Sequence, residues 1–102
     1  MSFPAVEDNR PPVHPGKILR LQLDALEMSA RKFADHIGVP PNAITGILNG
    51  DRSVTALMAL RLGKAFGTTP QFWLNLQIAH DLKKASTDMP PEIATIQQLV
   101  AA

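Results

Sequence analysis

The sequence predicts an all-α protein with five helices in one domain and a short C-terminal helical tail. Prolines and glycines fall where helices begin and end. Apolar residues between them recur at helical spacing, and no window shows the strict alternation of a strand. The chain has 102 residues, 45% of them hydrophobic, which suits one domain with a single core.

Residues 1–13 hold three of the nine prolines and no helical period, and read as an extended or disordered arm. Pro15 suits a first helical position, and Ile18, Leu19, Leu21, Leu23 and Leu26 follow it, giving a first helix over about residues 15–26. Ser29 is an N-cap for the second helix, which carries Phe33, Ala34 and Ile37 and stops at Gly38. Of Pro40 and Pro41, the latter can open a third helix ending at Asn49 and Gly50. Thr55 caps a fourth helix through Leu57, Leu60 and Phe66 to Gly67. Thr69 and Pro70 open a fifth that runs to about Ala85. Pro90 and Pro91 restart a short helix, Ile93 to Val100. The domain therefore spans residues 14–85 and the tail residues 86–102.

Composition excludes several functions. The chain has no cysteine, so thiol catalysis, disulfides and thiolate zinc sites are ruled out. His14, His36 and His80 lack metal-ligand spacing, and the Gly-containing stops lack a phosphate-loop lysine, so neither a cofactor nor catalysis is expected. No apolar run reaches bilayer length, which predicts no membrane partner and a cytoplasmic protein. Net charge is only +1, but residues 14–85 carry nine Lys/Arg against five Asp/Glu, a net +4 compatible with phosphate contacts.

The strongest feature is the segment 30–49. Two short helices meeting steeply through a tight turn require a small residue where they approach, here Ala34, and a residue tolerant of positive φ at the turn, here Gly38. They also require an apolar inner face, supplied by Phe33, Ile37, Val39, Ile44 and Ile47. This is a helix-turn-helix, whose second helix reads base edges in the major groove of double-stranded DNA. Pro41, Asn42, Ala43, Thr45 and Gly46 are expected on its outer face as base contacts: Asn42 suits adenine, Thr45 a thymine methyl, and Ala43 and Gly46 permit close approach. Ser29, Ala30, Arg31 and Lys32 at the start of the second helix, with Asn49 and Arg52 beyond the third, are the expected phosphate contacts.

The fifth helix is apolar on more than one face. Phe72, Leu76 and Ala79 form one stripe, and Leu74, Ile78, Leu82 and Ala85 another. A helix on a small core buries about one stripe, so the surplus predicts either a homodimer interface (Phe72, Leu74, Ile78, Leu82 and Ala85) or cover by the tail helix. The residues themselves leave open a stand-alone DNA-binding regulator, or an interaction module that no longer binds DNA.

Five blocks carry a resemblance to a known family. They are His14-Pro15-Gly16-Lys17-Ile18-Leu19, Gly38-Val39-Pro40-Pro41-Asn42, Ile47-Leu48-Asn49-Gly50 with Arg52, Thr55-Ala56-Leu57, and Phe66-Gly67-Thr68-Thr69-Pro70-Gln71-Phe72-Trp73-Leu74-Asn75-Leu76-Gln77. With these the chain resembles the HigA group of bacterial antitoxins, within the XRE or lambda-repressor-like helix-turn-helix proteins. The resemblance implies a five-helix DNA-binding fold and a homodimer that represses its own operon. It further implies neutralisation of a RelE-like, mRNA-cleaving toxin encoded there. The chain departs from many relatives at Ala30, where they have Gln, and at Ala43 and Gly46, where they often carry Arg and Glu. Its operator sequence cannot be carried over from them.

Overall fold

The computed structural model describes residues 13–101; the expected N-terminal arm falls, but for Val13, outside the described residues. Six helices follow in order: α1 (Pro15–Ala25), α2 (Ala30–Ile37), α3 (Pro41–Leu48), α4 (Ala56–Phe66), α5 (Pro70–Thr87) and α6 (Pro91–Ala94). The helix starts read from sequence coincide with side-chain caps. His14 Nδ1 accepts from the Gly16 amide (3.0 Å), Ser29 from Lys32 (3.1 Å), and Thr55 and Thr69 from Met58 and Phe72 (3.2 Å each). Each satisfies an amide that the first helical turn leaves without a partner. α3 alone among the first five begins at a residue with no side-chain cap, Pro40.

The core gathers residues from every one of the first five helices: Leu19 and Leu23, Phe33 and Ala34, Ile44 and Ile47, Ala59 and Leu62, and Trp73, with Val54 from the α3–α4 loop. Phe33 stacks on Phe66 (centroids 5.1 Å apart), which leans on Trp73 (5.7 Å). The Trp73 indole N–H, which burial would otherwise leave without water, donates to Thr68 Oγ1 at 2.9 Å. α1 crosses α3 at Gly16, where any Cβ would collide with the Ile47 carbonyl, so the closest helix crossing of the fold depends on that missing side chain.

The tail departs from its expected form. Only a single turn forms, Pro91–Ala94, and the helix does not continue to Val100. Ile96 and Val100 stay 72% and 86% exposed. A short helix recovers its nucleation cost only by packing an apolar face, and among the described residues nothing covers this one. Tail cover of α5 is thereby excluded within the monomer.

Candidate nucleic-acid interface

α2 and α3 are joined by a turn that Gly38 makes possible: its φ of +72° places it in the left-handed region that ends helices. The Val39 amide closes the turn on the Ala34 carbonyl (3.0 Å), and Arg61 of α4 donates from Nη1 to the Ile37 carbonyl at 2.7 Å. The end of α2 is thus held by its own backbone and by a neighbouring helix, which fixes the angle at which α3 leaves it. On the inner side Phe33, Ala34, Ile44 and Ile47 are buried, while Ile37 and Val39 are half-buried and packed against them.

On the outer side Pro41, Asn42, Thr45 and Asn49 are exposed as expected. Asn42, Thr45, Gly46 and Asn49 stand at i, i+3, i+4 and i+7 and share one face. Asn42 has no capping bond, so its amide is available. The Thr45 hydroxyl donates weakly to the Pro41 carbonyl (3.4 Å), leaving its lone pairs and methyl facing outward. Two expectations change. Ala43 is not on the outer face but buried, 9% exposed, because the α3–α4 loop closes over that side of the helix. Gly46 is half-buried and offers no open approach, because the Arg52 side chain lies across it.

Among the expected phosphate contacts, Arg31, Lys32, Asn49 and Arg52 are exposed. Ser29 is exposed but its hydroxyl oxygen is occupied as the α2 cap, and Ala30 is half-buried against the core. The Ser29 hydroxyl still has its own proton to donate, whereas Ala30 offers only its backbone. The segment Pro41–Leu48 itself contains no charged residue, so positive charge reaches this surface from its flanks.

α5 does not carry two equivalent apolar stripes. Its inward column is Trp73, Gln77 and His80, with Trp73 and Gln77 buried and His80 half-buried. Leu74, expected in the second stripe, is half-buried and packs on the core. Phe72, Ile78, Leu82 and Ala85 are exposed. Gln77 was not anticipated as structural. Its Oε1 accepts from the Val54 amide at 2.8 Å and its Nε2 donates to Asp81 (2.9 Å), so it fastens the α3–α4 loop to α5. The readable signal was a polar residue one turn after Trp73, on the inward side of the helix. Arg61 carried no such signal, since its partner is a backbone carbonyl twenty-four residues away.

His14 and His80 meet edge to face (centroids 4.9 Å apart) where α1 begins beside α5. Burial, and secondarily the neighbouring His80, hold the His14 imidazole below its ordinary pKa. Hydrogen bonds from Gln77 and His80 hold the Asp81 carboxyl below its own. A neutral His14 is what the α1 cap requires, because Nδ1 must keep a free lone pair for the Gly16 amide.

This arrangement matches known proteins. The helix-turn-helix family model matches residues 19–73, more than half of the chain. Virulence-associated protein I of Dichelobacter nodosus is 44% identical over 89 residues, which is 86% of this chain and 82% of that protein. The structure of an addiction-module antidote protein of the HigA family from Coxiella burnetii superposes with a TM-score of 0.83 at 49% identity, covering 89% of this chain and all of that one. Antitoxin HigA of Pseudomonas aeruginosa, solved with the higBA promoter, gives a TM-score of 0.81 at 35% identity over 87% of this chain and 99% of that one. The chain belongs to the helix-turn-helix family and, within it, to the HigA-like antitoxins, a family of regulators and not of enzymes.

Proposed function

We propose that this protein binds the operator of its own operon as a homodimer, with α3 in the major groove, and neutralises a RelE-like mRNA-cleaving toxin encoded beside it. The outward face of α3 carries the reading. It presents Asn42 and Thr45 without internal partners of any strength, on a helix whose angle is locked at Gly38 and Arg61. In this reading Asn42 pairs with an adenine edge, and the Thr45 methyl meets a thymine. Pro41 lies against the groove wall. The backbones of Ser29 and Ala30 contact phosphates together with the side chains of Arg31, Lys32, Asn49 and Arg52. The P. aeruginosa relative, solved with the higBA promoter, supports DNA binding by a protein of this fold.

One such module makes few contacts, and two recognition helices about 34 Å apart reach successive major grooves. The exposed apolar residues Phe72, Ile78, Leu82 and Ala85 on α5 are the surface proposed to join the two copies.

Anisotropy titration with the DNA upstream of the gene tests the reading. Binding weakens steeply with added salt, and Asn42→Ala costs about tenfold in affinity for the operator while leaving non-specific binding unchanged. Absence of binding at low salt overturns DNA recognition. For the toxin, the neighbouring reading frame, expressed alone, arrests growth, and co-expression of this chain restores it. A neighbourhood without such a frame leaves a regulator with no toxin partner.

A further inference from the structure

On the DNA-binding reading Pro41–Leu48 carries a neutral hydrogen-bonding fork, Asn42, but no charged residue, so a cation beside this helix has to come from outside it. It also contains a glycine in its interior, at position 46, where φ is ordinary and no turn requires it. Glycine in a helix is less stable there than alanine, so it needs another reason.

The reason is visible in what surrounds it. A Cβ at position 46 would lie 2.7 Å from Arg52 Cδ, 2.8 Å from Cγ and 3.1 Å from Nε. These are far inside the 3.5–4.0 Å at which carbon atoms rest against each other. The Arg52 stem therefore occupies the space of the missing side chain. Its backbone is brought there by the Gly46 carbonyl, which accepts from both the Asp51 amide (2.8 Å) and the Arg52 amide (3.1 Å). The loop folds back over the last turns of α3 and lays an arginine along the helix. Among the described residues no hydrogen bond or ion pair engages the guanidinium, and Arg52 is exposed. The fork is held at its stem and open at its tip.

We infer that Gly46 is a positioning residue for DNA recognition: by lacking a side chain it seats Arg52 on α3, and the arginine supplies from the loop the cationic fork that the helix itself lacks. This rests on the DNA-binding reading above. Position 46 shares the outward face with Asn42, Thr45 and Asn49, so the stem lies at the edge of that face and the guanidinium reaches DNA already ordered. A purely structural role for Arg52, covering the buried edge at Ala43 or offsetting the negative C-terminal end of α3, acts on stability and not on operator affinity.

A double-mutant cycle on the full-length protein separates these roles. Gly46→Ala, Arg52→Ala and the double variant are titrated against the upstream operator fragment, with thermal melts in parallel. Gly46→Ala weakens binding about tenfold while melting at or above the wild-type temperature, because alanine favours the helix. Arg52→Ala weakens binding at least as much, and the double variant binds no more weakly than Arg52→Ala alone. Arg52→Met, which keeps the stem and removes the fork, loses as much as Arg52→Ala and leaves position 46 untouched should Gly46→Ala fold poorly. Wild-type affinity in Gly46→Ala or in Arg52→Met, or losses that simply add in the double variant, overturns the inference alone. Failure of the wild type to bind overturns it together with the DNA-binding reading.

Discussion

The α2–α3 unit and the C-terminal half of α5 are both amphipathic helical segments, but only the first is complete within the chain. Every apolar residue on the inner side of α2 and α3 finds a neighbour, and both ends of α2 are secured, by the Ser29 cap and by Gly38. α5 behaves the same way only as far as Gln77. Beyond it no residue is fully buried, while Ile78 and Leu82 are 54% and 63% exposed, and the tail that follows makes one isolated turn. α5 is eighteen residues long, and its fully buried residues, Trp73 and Gln77, both lie in the first half. Exposed apolar residues of this kind are what an association surface would use, so one segment is finished by folding and the other carries the surface proposed above for the dimer.

That contrast can be broken from the largest effect downward. Gly16→Ala forces a methyl into the Ile47 carbonyl and separates α1 from α3; urea unfolding will show a loss of about 3 kcal/mol. If that variant keeps wild-type stability, the close crossing beneath α3 is not what holds the unit together. On the other segment, Ile78→Glu combined with Leu82→Glu leaves the melting of the protomer nearly unchanged. It shifts light-scattering mass from dimer to monomer and lowers operator affinity roughly 100-fold. An unaltered mass would place the association surface elsewhere.

Gln77→Leu tests the boundary between the two halves. It strands the buried Val54 amide and costs about 2 kcal/mol, and operator binding falls with it because the α3–α4 loop is released. A neutral outcome would mean the loop finds another partner, and the division at residue 77 would lose its meaning.

The smallest effect is on pH. His14 lies below its ordinary pKa of 6.5 in the fold, so the unfolded chain takes up the proton first. Stability is full above that value and declines as pH falls through it toward the folded value. Asp81 acts lower: its stabilising share is present above the ordinary carboxylate value of 3.8 and is lost as pH drops below it. Unfolding midpoints at about pH 7.5 and 5.5 will therefore differ in the wild type, and His14→Asn, which retains a cap, will narrow the difference. An identical pH dependence in both would assign the effect to other groups.

Much of this protein was legible without coordinates because its helix punctuation is local chemistry. A capping oxygen, a proline at a first helical position and a glycine at a stop act within four residues of themselves, as Ser29, Pro41 and Gly38 do. The inner face of the helix-turn-helix was legible for a related reason, since its spacing follows from the helical period. Ala43 was misplaced although the helical period sets it one turn before the inward Ile47, because a small side chain gives no strong apolar signal of its own. Arg61 was invisible because its partner is a backbone carbonyl twenty-four residues away, and Gln77 showed only as a polar residue on the inward side of its helix, its Val54 partner lying twenty-three residues away. The tail helix was expected over Ile93 to Val100 and forms only the turn Pro91–Ala94, since periodicity states what a helix would bury and not whether a surface exists to receive it.

The sequence by itself determined the five helices, their caps and the position of the turn, because these depend on neighbours along the chain. Tertiary structure alone decided how deeply Ala43 is buried. It also laid Arg52 over Gly46 and ended the burial of α5 at Gln77, because each depends on a contact between segments that the helical period does not encode.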